Sequence, residues 1–407
     1  MTRLSGMETS ELFHDAASID YPILDCDAHV NEPPDTWTAR VPATLRDRAP
    51  KVLHRDDGDY WSFDDGASIR PVGLTATAGK SFLDFSPVGG TYATMRPGSF
   101  DTKARLADMD VDGIWLQVLY PSVTLFGAKV YGSDRDLQLA CVRAYNDWLA
   151  EFCEGSEGRL VGQAILPTTG VDDVVAETRR CLELGHRGVV ISSFPNGGLE
   201  PLPEDEPFWA LAQETRTPVA VHIGSFLPTV GTAAGAKPPT MDVKQFMGAA
   251  GATKSGSQTL PVVSQLLFSG VFEKYVDIDL LLVESNIGWI PTLLEQTDDM
   301  FYRYRFFTHG DDMQVTPSRI FHRNFWASFM LDTVGMDLRH RLNVDHLMWS
   351  SDYPHTGCDW PNSRITIERN FRGALAARRA RDERNLAVES SGRHRAPAQR
   401  CGMRSGT

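Results

Sequence analysis

A chain of 407 residues with 42% hydrophobic residues can bury one large core and is too apolar to be disordered. Its net charge of -13 argues against nucleic acid or an anionic membrane surface as a partner. Cys26, Cys141, Cys153, Cys181, Cys358 and Cys401 form no Cys-x-x-Cys pair, which speaks against a zinc ribbon and fits reduced thiols in a cytosolic protein.

Residues 1–20 carry Glu8, Glu11, Asp15 and Asp20 without an apolar centre, so they read as an extension, not a signal peptide. No run of about 20 apolar residues exists, so no membrane span is expected and the protein is placed in the cytoplasm. A first strand is expected at Tyr21–Asp27. An insertion at residues 52–100 follows, with short strands at Val52–His54, Asp59–Phe63 and Ala67–Pro71. The turn sequences Asp56-Asp57-Gly58 and Asp64-Asp65-Gly66 separate them, as in a small antiparallel flap over the mouth of the main domain.

Further strands are expected at Gly113–Leu119, Leu160–Leu166, Gly188–Ser192, Pro218–His222, Asp279–Glu284, Phe325–Phe329 and His346–Ser351. Amphipathic stretches at Asp136–Phe152, Asp172–Leu184 and Pro207–Glu214 lie between them and read as helices. Residues 226–260, rich in Gly, Ala, Pro, Ser and Thr, read as a lid loop after the fifth strand. Eight βα units over residues 21–386 predict an α/β fold, a distorted (β/α)8 TIM barrel with a small β insertion after strand 1. An open doubly wound sheet is the competing fold, but Asp27-Ala28-His29-Val30 is no glycine-rich phosphate loop. Residues 387–407, arginine-rich and without apolar periodicity, are expected to form a disordered basic tail.

Polar residues gather where these strands end. Asp25, Asp27 and His29 alternate at the end of the first strand, so all three are expected to face the barrel interior. The fifth strand ends in His222, the sixth in Glu284 and the eighth in Asp352, where Pro354 stops the ladder before His355. Each has an ordinary alternative: Asp25 tying down a backbone amide, His222 a satisfied core histidine, Glu284 in an ion pair with Arg303 or Arg305, Asp352 a turn cap. Unpaired charge in a barrel core is costly, so their coincidence points to a divalent metal site with nitrogen and oxygen ligands.

The segments Leu24-Asp25-Cys26-Asp27-Ala28-His29-Val30-Asn31-Glu32-Pro33, Glu284-Ser285-Asn286-Ile287-Gly288-Trp289-Ile290-Pro291 and Ser351-Asp352-Tyr353-Pro354-His355 resemble the amidohydrolase-related (amidohydrolase 2) family. That family includes aminocarboxymuconate-semialdehyde and γ-resorcylate decarboxylases. The resemblance spans roughly residues 20 to 370 and implies a barrel with one catalytic zinc or manganese ion and a homodimer. By it, Asp27, His29, His222 and Asp352 match the metal ligands, and Glu284 takes the place of the family's catalytic histidine. Asp352 and His355 join Glu284 as catalytic candidates, and Arg303, Trp289 and Tyr353 are the candidate substrate contacts.

Two departures bear on the chemistry. The family's His-x-His or Glu-x-His reads Asp27-Ala28-His29 here, a harder and more anionic set that tilts the choice of ion from zinc toward manganese or magnesium. Glu284 can donate a proton only if its surroundings raise its pKa, and a ligand role is its alternative. The family's closing Asn-Ala-x-x-Leu-Tyr motif is not reproduced by Arg384-Asn385-Leu386-Ala387.

The expected reaction is metal-dependent decarboxylation of a small aromatic or unsaturated carboxylic acid, with Trp37, Trp289, Tyr353 and Trp360 available to stack on the substrate. The alternatives are metal-dependent hydrolysis of an amide, lactone or ester by a metal-activated water, and a catalytically decayed binding protein.

Overall fold

The computed structural model describes residues 21–81, 84–86, 88–125, 127–226, 259–306 and 313–371. The expected N-terminal extension, nearly all of the expected lid loop and the expected basic tail lie outside the described residues. Eleven strands run in chain order among those described. They are β1 (Ile23–Val30), β2 (Lys51–Arg55), β3 (Gly58–Phe63), β4 (Ser68–Pro71), β5 (Ile114–Pro121), β6 (Leu160–Ile165), β7 (Gly188–Val190), β8 (Val219–His222), β9 (Leu280–Val283), β10 (Phe325–Phe329) and β11 (Leu347–Trp349).

Eight of them form one sheet in the order β1-β5-β6-β7-β8-β9-β10-β11, every neighbouring pair parallel. The two ends of the sheet meet at a parallel bridge between Ala28 and Tyr353. Two backbone bonds lie beside it, from His29 N to Tyr353 O at 2.5 Å and from Asp352 N to Asp27 O at 2.9 Å. The result is the expected (β/α)8 barrel, closed by a narrow seam.

The strands are short and apolar because they are covered on both sides. Leu24, Leu116, Val118, Tyr120, Val190, Ala220 and Val283 pack together as one cluster inside the barrel. Alternate residues such as Leu119, Val189, Val219, Val221, Leu280 and Leu282 belong to the larger cluster between the sheet and its helices. Local signals set the helix ends. Asp134 Oδ1 accepts from the amides of Asp136 and Leu137 to start the helix Arg135–Glu154. Asp101 does the same for Thr102–Asp112, which ends on Gly113 in the left-handed conformation.

The insertion after β1 forms a separate antiparallel sheet, β2-β3-β4. Gly58 occupies its first turn at φ +129°, where a Cβ would come 2.9 Å from the backbone of Gly89. The segment is tied to the carboxyl ends of the barrel strands. Thr77 N and Ala78 N donate to Pro354 O, Asn31 Nδ2 donates to Thr75 O, and Tyr92 Oη donates to Glu32 O. Among the described residues no helix is long and apolar enough to cross a membrane.

Trp37 pins the chain leaving β1 to the barrel's outer layer. It is fully buried, packs edge-on against Trp61 and donates Nε1 to Tyr131 Oη and Cys141 O. Trp37→Ala is expected to cost about 3–5 kcal/mol in denaturant unfolding through the cavity it leaves. A loss below about 1 kcal/mol would contradict this account of the packing.

Candidate metal centre

The site is assembled at the carboxyl ends of β1, β8, β9 and β11. His222 closes β8 and shares the inward face of Ala220, two residues before it. Glu284 follows β9, where Val283 already faces inward, so strict alternation would turn Glu284 outward. A left-handed backbone at Glu284, φ +55°, breaks that alternation. Asp352, φ +58°, sits at the matching place after β11.

The first strand differs from expectation in one respect. Its register against β5 is irregular between Asp25 and Ala28, and this bulge reverses the inward phase that Leu24 sets. Asp27 and His29 therefore face the centre, whereas Asp25 does not join them. Asp25 instead accepts from Ser351 N at 2.9 Å, Ser351 Oγ at 2.5 Å and Gln117 Nε2 at 2.9 Å. Simple alternation cannot foresee this, because the bulge is set by pairing with a neighbour strand and not by the strand's own sequence.

The two imidazoles are held in one tautomer. His29 Nδ1 lies 3.0 Å from Pro121 O, and His222 Nδ1 lies 2.9 Å from Ile223 O. Carbonyls only accept, so each Nδ1 carries a proton and each Nε2 is left facing the centre, where in the neutral imidazole it presents a lone pair. Those two Nε2 atoms are 3.2 Å apart. Asp27 Oδ1 lies 3.4 Å from both, and Asp352 Oδ1 lies 3.3 Å from that of His29. Donors held at about 2.1 Å from a common ion would be spaced about 3.0–3.4 Å from one another, so these separations suit one divalent cation.

Asp27 Oδ1 and Oδ2 and Asp352 Oδ1 are buried without a hydrogen-bond donor, and Tyr120 Oη beneath them is likewise unpartnered. Asp27, Glu284 and Asp352 offer oxygen atoms within 4.8 Å of one another, as do the donor atoms of Asp27, His29 and His222. The orphaned acids and facing lone pairs fit a cation.

The electrostatics are those of a crowded anionic cluster. Burial, reinforced by Asp352 and Asp27, raises the Glu284 carboxyl well above the ordinary range. Burial also raises Asp352. Asp27 is buried too, but the imidazoles of His222 and His29 outweigh that and hold it below its usual value. Burial pushes His29 down to about 4 and His355 down to about 3. The side chains of Asp27, His29, His222 and Asp352 are hidden, whereas the Glu284 side chain keeps 25% of its surface exposed. Glu284 is thus the acid of the cluster that solvent or a small molecule can reach.

His355 joins the cluster from the loop after β11. Its ring stacks on His29 at 3.8 Å between centroids, with Nδ1 3.0 Å from Asp352 Oδ1 and Nε2 2.8 Å from Ser122 Oγ. The other candidates sit elsewhere. Arg303 pairs with Asp299 at 2.8 Å on its own helix, with 65% of its side chain exposed, outside the buried cluster. Trp289 is half-buried and donates Nε1 to Ser285 O at 2.8 Å, in the loop that follows Glu284. Tyr353 is buried behind the seam, with its hydroxyl donating to Asp108 Oδ2 at 2.6 Å. Trp37 belongs to the core and Trp360 packs under Arg96.

Sequence reading did not single out Arg105, Gln117 or Ser122, and it gave Ser351 no role beyond its place at the end of the eighth strand. Gln117 alone left a trace, as a polar residue inside the apolar run Ile114–Pro121. The others look like ordinary helix or loop residues until their partners are known.

The family model described as Amidohydrolase matches residues 24–379. No curated protein matches the chain. Among solved structures, an amidohydrolase from Mycobacterium avium subsp. paratuberculosis K-10 superposes with a TM-score of 0.70 at 18% identity, covering 92% of this chain and 97% of that one. A 5-carboxyvanillate decarboxylase from Sphingomonas paucimobilis gives 0.60 at 18% identity, over 91% and 98%. A dihydroxybenzoic acid decarboxylase from Polaromonas sp. JS666, with bound manganese and the inhibitor 2-nitroresorcinol, gives 0.57 at 18% identity, over 91% and 95%. At these identities the structures speak for the barrel alone. With most of its length matched by the family model and its strand-end acids and histidines gathered in one barrel mouth, the chain belongs to the amidohydrolase family.

Proposed function

We propose that the protein is a metal-dependent decarboxylase that removes carbon dioxide, without oxidation, from a small aromatic or unsaturated carboxylic acid. The observation that carries this reading is the convergence of two imidazole lone pairs with the Asp27 and Asp352 carboxylates beside a third, accessible acid, Glu284. The shared fold of the 5-carboxyvanillate and dihydroxybenzoic acid decarboxylases supports it.

Asp27, His29, His222 and Asp352 would hold one divalent ion. Two carboxylates beside the two imidazoles tilt the choice from zinc toward manganese or magnesium, in keeping with the manganese of the Polaromonas relative. When bound, the ion supplies a cationic centre that orients a carboxylate substrate and offsets negative charge as it develops. Pro121 O and Ile223 O keep the two Nε2 atoms turned to the same point. His355, held between Ser122 Oγ and Asp352 Oδ1, orients that carboxylate.

Glu284 Oε2 lies 4.0 Å from His222 Nε2 and holds the proton. The substrate carbon takes this proton as its bond to the carboxylate breaks. The electron pair of that bond stays with the substrate carbon, carbon dioxide leaves, and water reprotonates Glu284.

In a panel of hydroxybenzoates, Asp352→Asn is expected to abolish release of carbon dioxide. Glu284→Gln should lower kcat roughly 10²–10⁴-fold with metal content unchanged. In deuterium oxide the product should carry deuterium on the carbon that lost its carboxyl group. Label from oxygen-18 water in a product carboxylate, without carbon dioxide, would establish hydrolysis instead. Chelation should lower the melting temperature, and manganese at 100 times its Kd should restore about 2.7 kcal/mol. No response to manganese or zinc would remove the basis of the reading.

A further inference from the structure

The seam between β1 and β11 is the least paired junction of the barrel. Other neighbouring strands share ladders of two or more residue pairs, whereas among the described residues β1 is joined here by one bridge, from Ala28 to Tyr353 in the segment after β11. The same junction sets the separation between Asp27 and His29 on one side and Asp352 on the other. A buried polar network lies directly behind it.

Arg105, on the helix Thr102–Asp112, is fully buried. Its guanidinium stays charged, yet its hydrogen bonds go to the carbonyls of Gly98 and His29 and to Gln117 Oε1, none of them a carboxylate. A carboxyl group lies one step removed. Gln117 accepts from Arg105 at 3.0 Å and donates to Asp25 at 2.9 Å, and Asp25 grips Ser351 N and Oγ, next to Asp352.

On the other side, the guanidinium carbon lies 4.4 Å from the centroid of the Tyr353 ring, whose hydroxyl is held by Asp108. Packing there leaves no slack: a Cβ at Gly98 would lie 2.2 Å from Asp108 Oδ2 and 2.6 Å from the Tyr353 hydroxyl. One planar cation thus touches the backbone behind His29 and the side chain that follows Asp352.

We propose that Arg105 is a positioning residue for the metal centre, spanning the seam so that the Asp27–His29 pair and Asp352 are held at a spacing one ion can bridge. This inference rests on the metal-centre reading above. Surface charge or a loop could not do the same work, because the planar fork reaches three acceptors in fixed directions while its face stays on Tyr353.

The test is competition for Mn2+ between the full-length, metal-loaded chain and a calibrated chelator, with the electron paramagnetic resonance spectrum of the bound ion as a second readout. Arg105→Met and Gln117→Met should each weaken Mn2+ binding roughly 10–100-fold and alter the spectrum. Arg105→Lys, which keeps the charge but not the fork, should fall between them and the parent. Trp37→Ala, destabilised elsewhere in the fold, should keep the parent's affinity and spectrum. Folded variants of Arg105 and Gln117 that hold Mn2+ within about twofold of the parent, with its spectrum, would overturn the inference however much thermal stability they lose. Should Arg105→Met fail to fold, Arg105→Lys and Gln117→Met decide in the same way. A parent chain that binds neither Mn2+ nor Zn2+ would sink the metal-centre reading, and this inference with it.

Discussion

The 2.9 Å hydrogen bond from the Asp352 amide to the Asp27 carbonyl joins the segment after the last barrel strand to the first strand, and the candidate centre exists only because that junction closes. Left open, the sheet would carry Asp27 and His29 on one edge and Asp352 beyond the other. Closed, it brings three carboxylates and two imidazole lone pairs into a space where the acids repel one another. Burial raises the carboxyls of Glu284 and Asp352, the neighbouring acids add to that rise, and a bound cation offsets it. Folding thus concentrates negative charge in the barrel mouth, and a cation relieves it.

Backbone strain is spent at the same places. Glu284, Asn286 and Asp352 adopt left-handed φ values of 55°, 55° and 58°, each at a cost of about 1–3 kcal/mol for a residue other than glycine. The surroundings hold these turns in place. Glu284 N donates to Ser328 Oγ at 2.8 Å. Asp332 Oδ2 accepts from the amides of Ile287 and Gly288 at 2.7 and 2.8 Å, fixing the loop that leaves Glu284. Strain at Glu284 turns a side chain that alternation would send outward into the one accessible acid of the cluster. The rigid barrel thereby presents buried donor atoms and a partly accessible acid from adjacent positions in space.

Two kinds of feature were legible in the chain. The eight barrel strands were visible as apolar runs because a strand covered on both faces needs apolar residues throughout, and Phe325–Phe329 was placed to the residue. Asp27, His29, His222, Glu284 and Asp352 stood out because a charged or titratable group at the end of such a run has no solvent to excuse it. The end of the first strand was less clear. The strand was expected to stop at Asp27, whereas pairing with β5 carries it on through His29 to Val30.

The remainder was decided in three dimensions. Asp25, Asp27 and His29 share the same spacing in the chain, yet only the bulge against β5 assigns Asp25 to Ser351 and the other two to the centre. Arg105 and Ser122 carry no local pattern that marks them, and Gln117 shows only as a polar residue in an apolar run, since each matters through a partner distant in sequence. Residue type and periodicity therefore determined the strands and the chemical character of their ends, because those depend on burial along a single element. Side-chain facing, tautomer and pairing across the seam were set by the tertiary structure alone, because each depends on which neighbouring strand supplies the opposing hydrogen bond.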